Sequence, residues 1–204
     1  GSIFLDSIRL IYHEEEPQEP WLVEEPRPNP LDLPIQVFDD SFINNHGYGL
    51  TVDECQSIQI TADDSSVGDR SLHVQWDLSA RSCPFSGFAA SWSAWFPVDI
   101  RPILSTAAVQ FDLRTASGVH QDLPVAIEIH DYNHSYGLNG SVVSRALSGD
   151  YVDGGTYGPE WKTVVIPMSH LEGEADLSIA KELAFRLSGQ GDVYIDNIRL
   201  VQIG

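Results

Sequence analysis

Ten short stretches of this chain read as strands, several of them alternating apolar and polar residues with a period of two, and turn-forming residues separate them. Val109, Phe111 and Leu113 alternate with Gln110, Asp112 and Arg114. Val125, Ile127 and Ile129 alternate with Ala126, Glu128 and His130, and Leu183, Phe185 and Leu187 with Ala184, Arg186 and Ser188. Successive side chains of an extended backbone point to opposite faces, so one face enters a core and the other stays wet. The predicted strands are Ile35–Phe38, Ser57–Thr61, Ser71–Asp77, Gly87–Phe96, Ala107–Thr115, Leu123–His130, Val142–Ala146, Trp161–Pro167, Lys181–Ser188 and Asp192–Gln202. Helical periodicity is limited to single turns at Met168–Leu171 and Asp176–Glu182. Gly, Asn, Asp and Ser fill the gaps and supply the turns that antiparallel strands need. The expectation is an all-β fold, a jelly-roll β-sandwich of two antiparallel sheets.

The two ends of the chain resemble each other. Gly1-Ser-Ile-Phe-Leu-Asp-Ser-Ile-Arg-Leu10 shares five of its ten positions with Gly191-Asp-Val-Tyr-Ile-Asp-Asn-Ile-Arg-Leu200. The first copy runs into residues 14–34, which hold six of the twelve prolines and seven acidic side chains. Such a composition makes an extended, self-repelling connector. The organisation expected is therefore three parts. Residues 1–13 would be the last strand of a preceding related module, 14–34 an acidic Pro-rich linker, and 35–204 a complete β-sandwich module. Alternatively, the first strand belongs to this same sandwich.

Charge narrows the partners. With 30 Asp and Glu against 11 Lys and Arg, the formal net charge is −19, and Lys162 and Lys181 are the only lysines. Neutralising phosphates takes clustered Lys and Arg, so nucleic acid is excluded as a partner, and an anionic membrane surface is disfavoured. No apolar run is long enough to insert into a bilayer. Cys55 and Cys83 are too few for a disulfide scaffold and lack metal-finger spacing. They either close one loop of about 29 residues, worth roughly 3 kcal/mol, or remain free thiols.

Five segments, in order, form a familiar outline: Val37-Phe-Asp-Asp40, Gly68-Asp-Arg-Ser-Leu-His-Val74, the strand Ala107–Arg114, Trp161-Lys-Thr-Val-Val-Ile-Pro-Met168 and Val193-Tyr-Ile-Asp-Asn-Ile-Arg-Leu200. Together they resemble carbohydrate-binding modules of the galactose-binding-domain-like β-sandwich superfamily, as appended to secreted bacterial glycoside hydrolases. The resemblance spans about residues 35–204. It implies non-catalytic binding of a polysaccharide or oligosaccharide by a module of a larger secreted protein, beside neighbouring modules of the parent chain. The place would be extracellular, on the cell surface or periplasmic. The resemblance also implies a structural calcium joining the first and last strands, with Asp39, Asp40 and Asp196 at the matching positions. Calcium takes six to eight oxygens, so backbone carbonyls would have to complete the set. Otherwise Asp39 and Asp40 make a turn and Asp196 caps the ladder.

A sugar site on such a fold needs exposed rings beside planar polar groups. Trp76 shares its strand phase with Leu72 and Val74, and Trp92 shares its phase with Phe88 and Ala90, so both are expected in the core. Trp161 reads as structural, and Trp21 as a clip for the connector. Trp95 is the candidate platform, because its same-phase neighbours Ser93, Ser91 and Ala89 are small; alternatively it packs under a loop. Gln110, Asp112, Arg114, Glu128, His130 and Arg186 are read as the wet face of the sheet, either bonding sugar hydroxyls or neutralising one another. Tyr132 and Tyr136 from the loop at 131–140, and Tyr157 from the loop at 150–158, complete the expected ligand-binding set.

Two other functions stay open. The end repeat fits a structural spacer or interaction module in a tandem array. A lyase or hydrolase would use Glu128, His130 or the pair Asp112 and Glu128, and His130 with His134 has zinc-ligand spacing only on a helix. The chain lacks G-x-S-x-G, G-x-G-x-x-G and P-loop motifs, and no catalytic residue is assigned.

Overall fold

The computed structural model describes residues 31–79, 86–133 and 142–204. The expected strand at 1–13, Trp21 and most of the connector, Cys83, His134 and Tyr136 lie outside the described residues. Cys55 is disulfide-bonded. No helix among the described residues is long and apolar enough to cross a membrane.

Two antiparallel sheets face each other. The seven-stranded sheet holds β1 (Ile35–Phe38), β3 (Thr51–Val52), β4 (Gln56–Thr61), β5 (Ser71–Asp77), β7 (Ala107–Thr115), β10 (Lys162–Pro167) and β13 (Gln190–Gln202), in the order β10-β7-β13-β5-β4-β3, with β1 also on β13. The six-stranded sheet holds β2 (Gly47–Tyr48), β6 (Gly87–Ala90), β8 (Asp122–Asp131), β9 (Val142–Ser148), β11 (Glu172–Gly173) and β12 (Ala180–Leu187), in the order β11-β9-β8-β12-β6-β2. The all-β sandwich expected from the alternation is the architecture found. Single 3-10 turns stand at Met168–His170 and Leu177–Ile179, where the sequence suggested short turns.

The inward halves of the alternating strands make the core. Val109, Phe111 and Leu113 of β7 meet Val125, Ile127 and Ile129 of β8 and Leu183, Phe185 and Leu187 of β12 in one buried cluster. Phe185 stacks on Phe88 at 4.6 Å and takes Phe111 of the opposite sheet edge-on at 5.2 Å, so three rings tie the layers together. Burying each such ring contributes about 1.5–3 kcal/mol. Trp76 is in the core as its phase predicted, and Trp92 is partly buried against it.

β13 organises the seven-stranded sheet. One edge pairs with β7 through residues 193–196 and 199–202, while the other pairs with β5 through residues 190–195 and with β1 through 198–200. A register shift falls between Asp196 and Arg199, where Asn197 has φ 51°. Asp196 sits at this junction. Its Oδ2 accepts from Ser66 N at 2.8 Å and Val67 N at 3.1 Å, so the carboxylate replaces a strand where β5 has ended and β1 has not begun.

The predicted strand Gly87–Phe96 is too long. β6 stops at Ala90, and Ala94 and Trp95 have φ of 54° and 67°, which no strand accommodates.

Candidate functional site

The polar set read as one wet face divides between two. Gln110, Asp112 and Arg114 lie on the outer face of the seven-stranded sheet, and Glu128, His130 and Arg186 on the outer face of the six-stranded one. Alternation tells which side of a strand is outward but not which sheet the strand joins. β7 pairs with β10 and β13, whereas β8 pairs with β9 and β12. Asp112 and Glu128 are therefore separated by the whole sandwich and cannot work as an acid/base pair.

On the seven-stranded face Asp112 and Arg114 are engaged by neighbouring side chains. Asp112 is buried and accepts from Thr163 Oγ1 at 2.7 Å, Ser66 Oγ at 2.8 Å and Asn197 Nδ2 at 3.2 Å. Arg114 pairs with Asp64 and lies over the Tyr194 ring at 4.0 Å. Across β13, His73 stacks on that same ring at 4.2 Å, so Tyr194 is covered by neighbours on both flanking strands. Tyr157 is fully buried and donates its hydroxyl to Ser148 O at 2.8 Å, so the loop tyrosine expected at a ligand is a core residue. Bridge pairing with His120 pulls it inward.

On the six-stranded face the remaining candidates come together. Its floor is lined by small residues: Ala89 of β6 pairs with Ala184 of β12, which pairs with Glu128 of β8. At one margin Tyr48 stands opposite Ala89 and is 41% exposed. It lies between two glycines that let β2 approach. A Cβ on Gly47 would fall 2.2 Å from the Phe42 ring, and one on Gly49 (φ +94°) 2.6 Å from Gly87 O. Trp95 lies 5.9 Å from the Tyr48 ring and 6.2 Å from His46. Its left-handed backbone is pinned by Ser91, whose Oγ accepts from Trp95 N at 2.9 Å. The small serines predicted to leave Trp95 uncovered thus instead fold the loop that presents it. Lys181 Nζ lies 5.3 Å from the Trp95 ring and 5.9 Å from that of Tyr132.

Beneath the rings runs a buried polar chain. His130 Nδ1 lies 2.8 Å from Glu182 Oε1, and its Nε2 lies 2.8 Å from Glu128 Oε2. Tyr48 donates its hydroxyl to Glu182 Oε1 at 3.0 Å, and Arg186 Nε lies 3.4 Å from Glu128 Oε1. Burial disfavours the His130 imidazolium, yet the two glutamate hydrogen bonds and charges outweigh it and hold the ring above its ordinary range. Burial likewise works against the Glu182 carboxylate, but His130, Lys181 and Tyr48 bring it below its ordinary value. Burial and the adjacent Glu182 raise the Tyr48 hydroxyl, which stays a neutral donor. Tyr48, Glu182, Lys181 and His46 were not singled out from the sequence. Glu182 shares the phase of Ala184 and Arg186, and Gly-Tyr-Gly at 47–49 marks a ring on a close-packed edge.

Of the expected calcium ligands, Asp196 accepts from Ser66 N, Val67 N and Asn197 N, and its Oδ2 lies 3.0 Å from Ser66 Oγ. Asp40 Oδ1 accepts from Asp69 N and Arg70 N. Asp39 Oδ1 is buried with no hydrogen-bond partner, and burial followed by the charges of Asp40 and Asp196 raises its pKa. No group of three or more His, Cys, Asp or Glu suited to a metal occurs among the described residues.

A family model described as carbohydrate binding domain 30 matches residues 34–202. No curated protein matches the chain in sequence. Among solved structures, a family 30 carbohydrate-binding module superposes with TM-score 0.63 at 19% identity, over 87% of this chain and 91% of the other. The family 30 module of a cellulosomal cellulase from Clostridium thermocellum gives 0.60 at 19% identity, over 83% and 97%. A family 11 module from the same organism, in complex with a β-1,3-1,4-mixed-linked tetrasaccharide, gives 0.55 at 16% identity, over 83% and 96%. At these identities the likeness is one of fold.

Proposed function

This chain belongs to the carbohydrate binding domain 30 family, whose members bind carbohydrate without catalysis, and on that premise we propose that its ligand lies across the outer face of the six-stranded sheet. The observation that carries the placement is the meeting of Tyr48, Trp95, Lys181 and Tyr132 above a buried layer of Ala89, Ala184, Glu128, His130 and Glu182, with Arg186 exposed at its edge. Rings with apolar faces suit the C–H faces of a sugar, and the partly exposed Lys181 and the exposed Arg186 beside them suit its hydroxyls, while the buried glutamates hold the rings from beneath. A neutral, hydroxyl-rich polysaccharide fits best, because a net charge of −19 repels uronates and sulfates. A mixed-linked β-glucan is the first ligand to try, since the family 11 module of the same fold holds such an oligosaccharide. The module would tether a larger secreted protein to that polysaccharide.

The test is affinity electrophoresis in soluble polysaccharides together with a glycan array, on the wild type and on Trp95→Ala and Tyr48→Ala. Binding lost in both variants supports this face. Binding unchanged in both removes it, and silence toward every glycan would favour the spacer reading.

Calcium near Asp39, Asp40 and Asp196 is a separate proposal, supported by the orphaned, buried Asp39 Oδ1. If calcium binds there, it raises the melting temperature of the wild type over chelator, and Asp39→Asn removes that gain. If it does not, Asp39→Asn only relieves a carboxylate held among like charges, and the melting temperature stays level or rises in either buffer.

A further inference from the structure

His130 is the one imidazole among the described residues with each ring nitrogen 2.8 Å from a different glutamate. A neutral imidazole carries one N–H and can donate to one carboxylate only; an imidazolium donates to both. We propose that His130 is a positioning residue for the carbohydrate face: as imidazolium it clamps Glu182 under Tyr48 and Glu128 beside Arg186, and its deprotonation releases one of the two arms. The proposal rests on the reading of this face as the binding face.

Each glutamate also meets a second group of known identity. Glu182 Oε1 serves both His130 and the Tyr48 hydroxyl, while its Oε2 is buried with Lys181 Nζ at 3.5 Å. Glu128 has Arg186 at 3.4 Å. Among the described residues, the charged and titratable groups around His130 are Glu128 and Asp131 on its own strand, Lys181, Glu182 and Arg186 on β12, and Tyr48 on β2. Its β9 partner, Val142, brings no charge. With His130 charged, the Glu-His-Glu trio carries −1, and both carboxylates have a donor. Once the proton leaves, the trio carries −2 in a buried place, and one carboxylate faces an imidazole lone pair. Tyr48 supports Trp95 at 5.9 Å, so a shift of Glu182 reaches the rings without His130 touching the ligand. The direction of the His130 shift agrees with a clamp that is charged at neutral pH.

The experiment has two arms on the intact protein. Without glycan, heteronuclear NMR follows the His130 ring nitrogens, the Tyr48 ring, the Trp95 indole N–H and the Arg186 Nε–H through a pH titration. The expected result is both ring nitrogens protonated at neutral pH, with the Tyr48 or Arg186 signals moving at the midpoint where His130 loses its proton. A His130 that is neutral at pH 7, or Tyr48 and Arg186 signals that both ignore its titration, overturns the proposal. With mixed-linked β-glucan, wild-type affinity is expected to fall roughly tenfold through the same midpoint. His130→Asn, uncharged at all pH, should lose that limb, and Glu182→Gln should move it to lower pH. A His130→Asn variant that keeps the wild-type profile also overturns the proposal. If no glycan binds at any pH, the functional reading fails, while the NMR midpoints still decide the clamp.

Discussion

Asp112 of β7 and Asp196 of β13 face each other in register, with the single hydroxyl of Ser66 2.8 Å from one carboxylate and 3.0 Å from the other. Both carboxylates are filled by N–H and O–H donors from three segments of chain. The pair is thus a joint in the seven-stranded sheet. Asp196→Ala would leave the N–H groups of Ser66, Val67 and Asn197 without their acceptor, and should destabilise by about 3 kcal/mol or more. A urea midpoint measures this, and glycan affinity of the folded fraction should not change.

Trp95 and Tyr157 should respond in opposite ways. Trp95→Ala removes a partly exposed ring from a loop tip, so affinity should fall roughly ten- to a hundredfold with little change in melting temperature. Tyr157→Phe removes one buried hydrogen bond and should cost about 1 kcal/mol of stability with binding intact. Calorimetry with and without ligand reads both.

Stability should form a plateau against pH. The raised His130 contributes fully below its unfolded value of about 6.5, and that contribution is lost as pH rises through its higher folded value. The lowered Glu182 contributes above its ordinary 4.5, and that contribution is lost as pH falls through its lower folded value. Melting temperatures from pH 3 to 9 should show both limbs. Glu182→Gln should remove the acid limb and flatten the alkaline one.

Two glycines give a backbone contrast. Gly87 has φ +138° and a would-be Cβ 1.9 Å from Phe185 O, so Gly87→Ala should break the β6–β12 pairing and disrupt folding. Gly155 has φ +70° with nothing within 4 Å, so Gly155→Ala should cost only about 1 kcal/mol. Thermal melts distinguish the two.

Much of the fold was legible because a period of two states a strand and its buried face directly. Leu183, Phe185 and Leu187 sit in the core, as their alternation required. The loop carrying Trp95 was misread as strand, since Ser91 and Ser93 look like small outward residues until they bond the turning backbone. Tyr157 was misread because a tyrosine in a Gly-rich loop looks exposed until a bridge with His120 turns it inward.

The sequence by itself determined the sandwich, the family and the inward faces, because these depend on local periodicity and short segments in a fixed order. Only the tertiary structure decided which outward residues share a surface. Arg114 and Arg186 alternate identically, yet one belongs to a strand paired with β13 and the other to a strand paired with β8. Strand pairing is set by contacts far apart in the chain, and no local pattern encodes it. The same pairing brought Tyr48, Trp95 and the glutamates flanking His130 into one site.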